Sequence, residues 1–249
     1  MNGRPRTVAA RLAYVRAALD AARRVLVVSG AGVSAESGIP TFRTGGGWWR
    51  GRRSEELATL AAFRADPLEN WEWYDYRRQI VARAEPNPAH RAVAAWERPG
   101  RNVFVITQNV DDLHERAGSH EVVHIHGSIW RMRCLKRGGP VWEDRRVPLP
   151  KLPPDCPCGG VARPDIVWFD EDLPRDARTR INNYFREGRV DVAFVIGTEA
   201  TFDYVRSYAA RARKLGALVV EVNPRRTQLS GEADVRLVGR AGDILPALT

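Results

Sequence analysis

The chain reads as an α/β protein: a parallel sheet with helices on both faces, carrying a smaller inserted module. Three observations lead there. Short β-branched apolar runs recur at 25–28, 103–106, 122–125, 192–196 and 218–222, each separated from the next by a segment of helical or loop-like composition. The first run ends in Gly30-Ala31-Gly32, the way a buried parallel strand turns into a following helix. Two stretches, 45–82 and 131–162, break the alternation and read as one inserted domain. A chain of 249 residues is long enough to bury a large core in such a unit.

The elements follow in order. Leu12, Val15, Ala18, Leu19 and Ala22 recur at helical spacing, which predicts an amphipathic helix feeding the first strand. Arg4, Arg6, Arg11 and Arg16, with Asp20 the sole acidic residue before Arg24, loosely imitate a transit peptide. The helix explains the pattern better, and a cytoplasmic location is expected. After the strand, Gly30 and Gly32 allow close backbone approach to a pyrophosphate, and the free N–H groups that follow suit an anion. Ala35 stands where the third glycine of G-x-G-x-x-G would be, giving the weaker G-x-G-x-x-A form. A Gly38-Ile39-Pro40 break then leads to Phe42 and Arg43.

The first irregular stretch opens with Gly45-Gly46-Gly47-Trp48-Trp49 and turns helical and aromatic. The second holds all three cysteines and the proline-rich segment Val147 to Pro154. The expected division is 1–44, 83–130 and 163–249 for the sheet domain, and 45–82 with 131–162 for the insert. A ligand cleft is expected between the two.

Charge is strongly positive, +9 with a pI near 10.1. The excess comes from thirty-six arginines against three lysines, scattered among acidic neighbours rather than clustered. Compositional preference for arginine accounts for this, so no nucleic-acid partner is expected. No apolar run approaches the ~18 residues that a bilayer span needs.

Gly30-Ala-Gly-Val-Ser34-Ala-Glu-Ser-Gly-Ile39-Pro-Thr-Phe42-Arg43 resembles the signature of the sirtuins, the NAD-dependent protein deacylases. Thr107-Gln108-Asn109-Val110-Asp111-Asp112-Leu113-His114 and His124-Ile125-His126-Gly127-Ser128 match the family in the same order. Weaker matches at Arg163 to Phe169, Gly197-Thr198 and Glu221 to Pro224 extend the likeness to the C-terminus. The resemblance implies a Rossmann-like NAD domain with a smaller inserted zinc module. It also implies transfer of an acyl group from lysine to ADP-ribose, with release of nicotinamide and an O-acyl-ADP-ribose.

It further implies roles for residues. His126 matches the general base, which accepts the proton of a ribose hydroxyl, a task suited to an imidazole titrating near neutral pH. His124 is given no role. Asp111 matches the group that holds the nicotinamide carboxamide, and Asn109, with Gln108 nearby, the ribose side of the pocket. An Asx turn opening a helix over 112–117 is the structural alternative for these residues. Gly30, Ala31, Gly32, Ser34, Ile39, Phe42 and Arg43 belong to the cofactor loop. Gly45 to Gly47 suit a mobile lid over that loop. Gly197, Thr198 and Asn223 match positions that hold phosphate and adenine ribose. Glu199 replaces the usual serine, and a carboxylate there is tolerable beside a pyrophosphate only if it points away.

Tyr74 and Arg77, three apart on one helix face, look like the Tyr-x-x-Arg of the branch that removes succinyl and malonyl groups. A phenol with a guanidinium fork suits an acyl chain ending in carboxylate. Ala58 matches the small residue that leaves room there, and Val167, Trp168 and Phe169 match the substrate-side segment. An NAD glycohydrolase or ADP-ribosyltransferase using the same site is the alternative, and an NAD-sensing module without turnover is a second. The partner expected is an acylated lysine side chain of a protein.

The cysteines depart from the family. Cys134 is followed by Arg137 where a partner should stand, and Cys156-Pro-Cys158 is one residue short. Structural zinc wants four ligands. Three thiolates with Asp155, Glu143 or water remain open, as does a ribbon that holds no metal.

Overall fold

The computed structural model describes residues 7–41 and 48–249. Its main sheet has six parallel strands in the order β11-β10-β9-β1-β4-β5. These are β1 (Arg24–Ser29), β4 (Asn102–Thr107), β5 (Glu121–His124), β9 (Val192–Ile196), β10 (Leu218–Val222) and β11 (Val235–Leu237). Five correspond to the predicted apolar runs. The sixth, β11, is a three-residue edge strand whose Val-Arg-Leu is too short to carry a periodic signal.

Each long strand is apolar on both faces because helices cover both. Val25, Val27, Val103, Val105, Phe194 and Val220 face one way, against the helices Val8–Ala21 and Pro88–Ala95. Leu26, Val28, Phe104, Ile106, Val195 and Val219 face the other, against the helices Arg175–Arg186 and Asp203–Lys214. This is why the runs read as continuously hydrophobic rather than alternating. The first helix is the predicted one, with Val15 and Leu19 fully buried and Thr7 capping the Ala10 N–H at 3.2 Å.

The third apolar cluster belongs to the inserted module. The helices Ser54–Leu57, Leu60–Ala65 and Pro67–Arg83 pack there against a three-stranded antiparallel sheet in the order β7-β6-β8. Its strands are β6 (Gly127–Cys134), β7 (Val141–Glu143) and β8 (Ala162–Ile166), and a short hairpin of β2 (Trp48–Trp49) and β3 (Arg52–Arg53) precedes the helices. The fold is thus the expected Rossmann-like sheet with a smaller module.

Strand order decides where a ligand goes. From β1 the chain steps outward to β4 and β5, then returns to lay β9, β10 and β11 on the other side. Chain direction across the sheet reverses at β1, the point at which open α/β sheets place a ligand crevice, here beyond the carboxyl ends of β1, β4 and β9. Gly30, Gln108 and Gly197 are the residues that leave those three ends. Among the described residues no helix is long and apolar enough to cross a membrane.

Candidate active site

Glycines make the crevice possible by letting two loops touch. The Gly32 N–H donates to the Gly197 carbonyl at 2.8 Å, and the Gly30 N–H donates to the Ile196 carbonyl at 3.1 Å. A Cβ on Gly32 would lie 2.8 Å from the Gly197 oxygen, and one on Gly30 would lie 2.7 Å from Thr198 Cβ. Gly197 itself has φ +59° and would meet the Val33 nitrogen at 2.6 Å. The sequence motif assigns the first two glycines to pyrophosphate approach; in the structure they are also required by the β9 loop. Ala31 and Ser34 bound a single helical turn, Ala31–Ser34, and Ile39 buries its side chain in the inserted module's cluster. Phe42, Arg43 and the glycines 45–47 lie outside the described residues.

Behind this loop sits a buried polar chain. Asn109 Nδ2 donates to Ser34 Oγ at 2.9 Å, and Ser34 Oγ donates to Asp111 Oδ2 at 2.9 Å. Asp111 Oδ1 accepts from the Leu113 N–H at 3.2 Å, opening the helix Leu113–Arg116. The Asx-turn reading therefore holds on one oxygen of the carboxylate, while Ser34 engages the other. Burial raises the Asp111 pKa, against hydrogen bonds from Leu113 and Ser34 that lower it. Gln108 Nε2 donates to the Ser29 carbonyl at 3.2 Å and to Thr198 Oγ1 at 3.0 Å, tying β1, β4 and β9 together. Asn223 Nδ2 donates to the Thr198 carbonyl at 3.1 Å. Glu199 is exposed.

His126 follows β5 and faces the same crevice. Its Nδ1 lies 2.9 Å from the Gln108 carbonyl and its Nε2 lies 2.6 Å from the Tyr204 hydroxyl. A carbonyl only accepts, so Nδ1 carries the proton and the Nε2 lone pair accepts from the phenol. Burial lowers the His126 pKa to about 4, so the imidazole is neutral at physiological pH. A neutral imidazole is the form a general base needs, and here the phenol engages its lone pair.

His124 is the opposite case. Its Nδ1 faces the Asn109 carbonyl at 2.9 Å and its Nε2 faces the Glu115 carboxylate at 2.6 Å. Both partners only accept, so both nitrogens donate and the ring is an imidazolium. Burial alone would lower its pKa, but the hydrogen bond and charge of Glu115 outweigh that and raise it. His124 thereby holds the main chain of Asn109, a role its sequence position does not disclose.

Of the residues expected on the acyl side, Ala58, Tyr74 and Trp168 share the module's apolar cluster. The Val167 N–H donates to the His126 carbonyl at 2.9 Å, and the Phe169 N–H donates to the Ala58 carbonyl at 3.1 Å. Phe169 is half exposed, whereas Trp168 is buried, with Nε1 donating to the Tyr74 hydroxyl at 2.9 Å. Tyr74 therefore keeps its own proton to donate, and burial pushes its pKa up to about 12. The Arg77 guanidinium lies over Trp73, 5.5 Å from the ring centre. Burial lowers its pKa, opposed by Tyr74 and by the Asp111 carboxylate.

Two further residues carry parts of the site that the motifs leave out. Asn87 Nδ2 donates to the Val33 carbonyl at 2.7 Å while Oδ1 caps the helix Pro88–Ala95, so one side chain fixes both helix and glycine loop. The Asn-Pro pair signals the cap but not the loop contact. Tyr204, in contrast, has no sequence signal at all.

The cysteine segment forms a separate cluster. Cys134, Cys156 and Cys158 bring their sulfurs within 4.8 Å of one another, with Cys158 Sγ 3.2 Å from Cys156 and 3.5 Å from Cys134. Zinc–thiolate bonds of about 2.3 Å in a tetrahedron separate sulfurs by about 3.8 Å, so the set fits three corners. Gly139 and Gly160 lie against these sulfurs, where a Cβ would come within 2.5 Å and 3.2 Å of Cys134. Arg137 is exposed, Asp155 pairs with Lys151 at 2.6 Å, and Glu143 pairs with Arg145. Among the described residues no fourth His, Cys, Asp or Glu ligand joins the group.

Comparison with known proteins agrees with this geometry. Residues 30–203 match the model of the Sir2 family. An NAD-dependent protein deacylase of Caldanaerobacter subterraneus is 49% identical over 212 residues, covering 84% of this chain and 85% of its own. One from Mycobacterium tuberculosis is 45% identical over 231 residues, 90% of this chain and 96% of its own. A Sir2 homologue solved in complex with NAD superposes with a TM-score of 0.87 at 41% identity, over 95% of this chain and 91% of that one. A second, a mutant holding 2′-O-acetyl ADP-ribose, gives 0.86 at 41% identity over 94% of each. With the motif residues of three strand ends gathered on one crevice, the chain belongs to the Sir2 family.

Proposed function

We propose that the protein is an NAD-dependent protein-lysine deacylase that favours acyl chains ending in a carboxylate. The general activity follows from family membership and from relatives that are themselves NAD-dependent protein deacylases. NAD is the co-substrate, and the donor set suits it: glycine backbone at the crevice, and a buried amide and carboxylate for a carboxamide. Bound there, NAD supplies an electrophilic ribose carbon once nicotinamide departs. The observation that supports the reading is the neutral His126, anchored through Nδ1 to the Gln108 carbonyl at the strand end that also carries Asn109 and Asp111. Gly30, Ala31, Gly32, Ser34, Gln108, Gly197, Thr198 and Asn223 line the NAD side, and Asp111 accepts from the carboxamide. His126 takes the ribose hydroxyl proton. NAD hydrolysis or ADP-ribosyl transfer as the main reaction is the alternative, and relatives at 45–49% identity that are themselves NAD-dependent protein deacylases favour deacylation.

The finer claim rests on Tyr74 and Arg77. Tyr74 has its phenolic proton free to donate, and Arg77, three residues on along the same helix, supplies a guanidinium charge. Ala58, 5% exposed beside them, leaves the space. Succinyl- or malonyl-lysine peptides should therefore exceed acetyl-lysine peptides in kcat/KM. Arg77→Met should lower succinyl-lysine turnover by the equivalent of ~2–5 kcal/mol, the cost of truncating one partner of a desolvated charge pair. Acetyl-lysine turnover should change little, and Tyr74→Phe should give a smaller loss of the same kind. A wild-type preference for acetyl-lysine, or equal loss of both activities in Arg77→Met, would sink the acidic-acyl reading.

A further inference from the structure

An imidazole nitrogen has one in-plane lone pair, and on His126 Nε2 a phenol already occupies it. The Tyr204 hydroxyl donates to that atom at 2.6 Å. Tyr204 sits in the first turn of the helix Asp203–Lys214, 78 residues from His126 in sequence. Its ring lies 5.2 Å from Phe202 at an interplanar angle of 9°, and 6.3 Å from Tyr208. Both Phe202 and Tyr204 meet His126 edge-on at 6.1 Å. Phe202 in turn reaches Phe169 at 6.5 Å, on the acyl-side wall. Burial keeps the phenol protonated far above neutrality, so it stays a donor. Among the described residues, burial and the Gln108 carbonyl are the influences on His126, and no charged side chain bears on it.

Two strong donors cannot share one lone pair. A hydroxyl that is to lose its proton to Nε2 must first displace the phenol. The aromatic row from Phe169 through Phe202 connects the acyl-lysine entrance to that phenol. We infer that Tyr204 is a specificity-determining residue that caps the His126 Nε2 lone pair until an acyl-lysine side chain displaces it, making water a poor acceptor. The inference rests on the assignment of His126 as general base. The reaction it suppresses is peptide-independent NAD hydrolysis. There the C1′–nicotinamide bond breaks, nicotinamide leaves with the electron pair, the water oxygen bonds to C1′, and the water proton passes to Nε2.

The test measures nicotinamide release by Tyr204→Phe with and without acylated peptide, with Tyr208→Phe as a neighbour that does not reach Nε2. Tyr204→Phe should raise release without peptide about 5- to 10-fold, the factor that one hydrogen bond of ordinary net strength is worth. Its peptide KM should fall and its deacylation kcat should stay close to wild type, while Tyr208→Phe changes neither rate. In substrate-free protein the His126 Nε2 nitrogen resonance should move toward the free-imine position in Tyr204→Phe, a readout that needs no turnover. The double variant His126→Ala/Tyr204→Phe should lose the added hydrolysis. An unmoved nitrogen resonance overturns the inference. So does unchanged hydrolysis with a lowered kcat, which would make the phenol a proton carrier, and so does a gain that persists in the double variant. Undiminished deacylation by His126→Ala alone would instead refute the general-base assignment.

Discussion

His124 and His126 stand two residues apart and are held in opposite protonation states by what their nitrogens face. His124 meets two acceptors and is charged; His126 meets a carbonyl and a phenol and is neutral. The motif names His126 because its position after a strand and before Gly127-Ser128 is local information. Neither the charge of His124 nor the contact with Tyr204 is local, since the partners come from another strand end and a distant helix. A prediction belongs to this scale. His126→Ala should lower peptide-dependent turnover by ~10²–10⁴-fold, the usual cost of losing a general base. The circular dichroism spectrum and calorimetric NAD binding should survive; near-normal turnover by a folded variant would refute the mechanism.

Elements were legible in proportion to their length and periodicity. Five of the six main strands and the first helix announce themselves by apolar runs or by i, i+3, i+4 spacing, whereas β11 has three residues and no period to read. In the cysteine segment, spacing counts alone could not tell whether three thiols converge, because convergence depends on how β6 pairs with β8. The structure brings them together, and among the described residues three ligands converge. Purified protein should accordingly carry less than one tightly held zinc per chain. Chelator should remove it without melting the main sheet, because the cluster lacks the four ligands of a closed structural site that couples metal binding to folding. Elemental analysis giving one zinc, together with unfolding by chelator, would show that a fourth protein ligand is recruited.

At the scale of the molecule, two buried histidines link the site to acid stability. His90 and His114 pack with ring centres 4.9 Å apart, and His114 Nε2 reaches Ser29 Oγ at 2.9 Å beneath the crevice. Burial lowers their pKa values to about 4 and about 3. An unfolded histidine titrates near 6.5, so between about pH 6.5 and 4 the unfolded chain binds more protons. Stability contributed by the neutral rings is full above that window and is lost as pH falls through it. The melting temperature should drop across this interval, and His90→Gln, which cannot take up the proton, should shrink the drop. An unchanged profile in that variant would show that other groups set the acid limb. What could be read from the chain alone was whatever neighbours in sequence decide: apolar period, glycines at a strand end, and motif residues that leave the same strand. Tertiary structure alone decided the rest. Strand order reverses at β1 and so brings three strand ends to one crevice; Gly32 faces Gly197, and Tyr204 reaches His126. These contacts join residues far apart along the chain, where no local propensity records the partner.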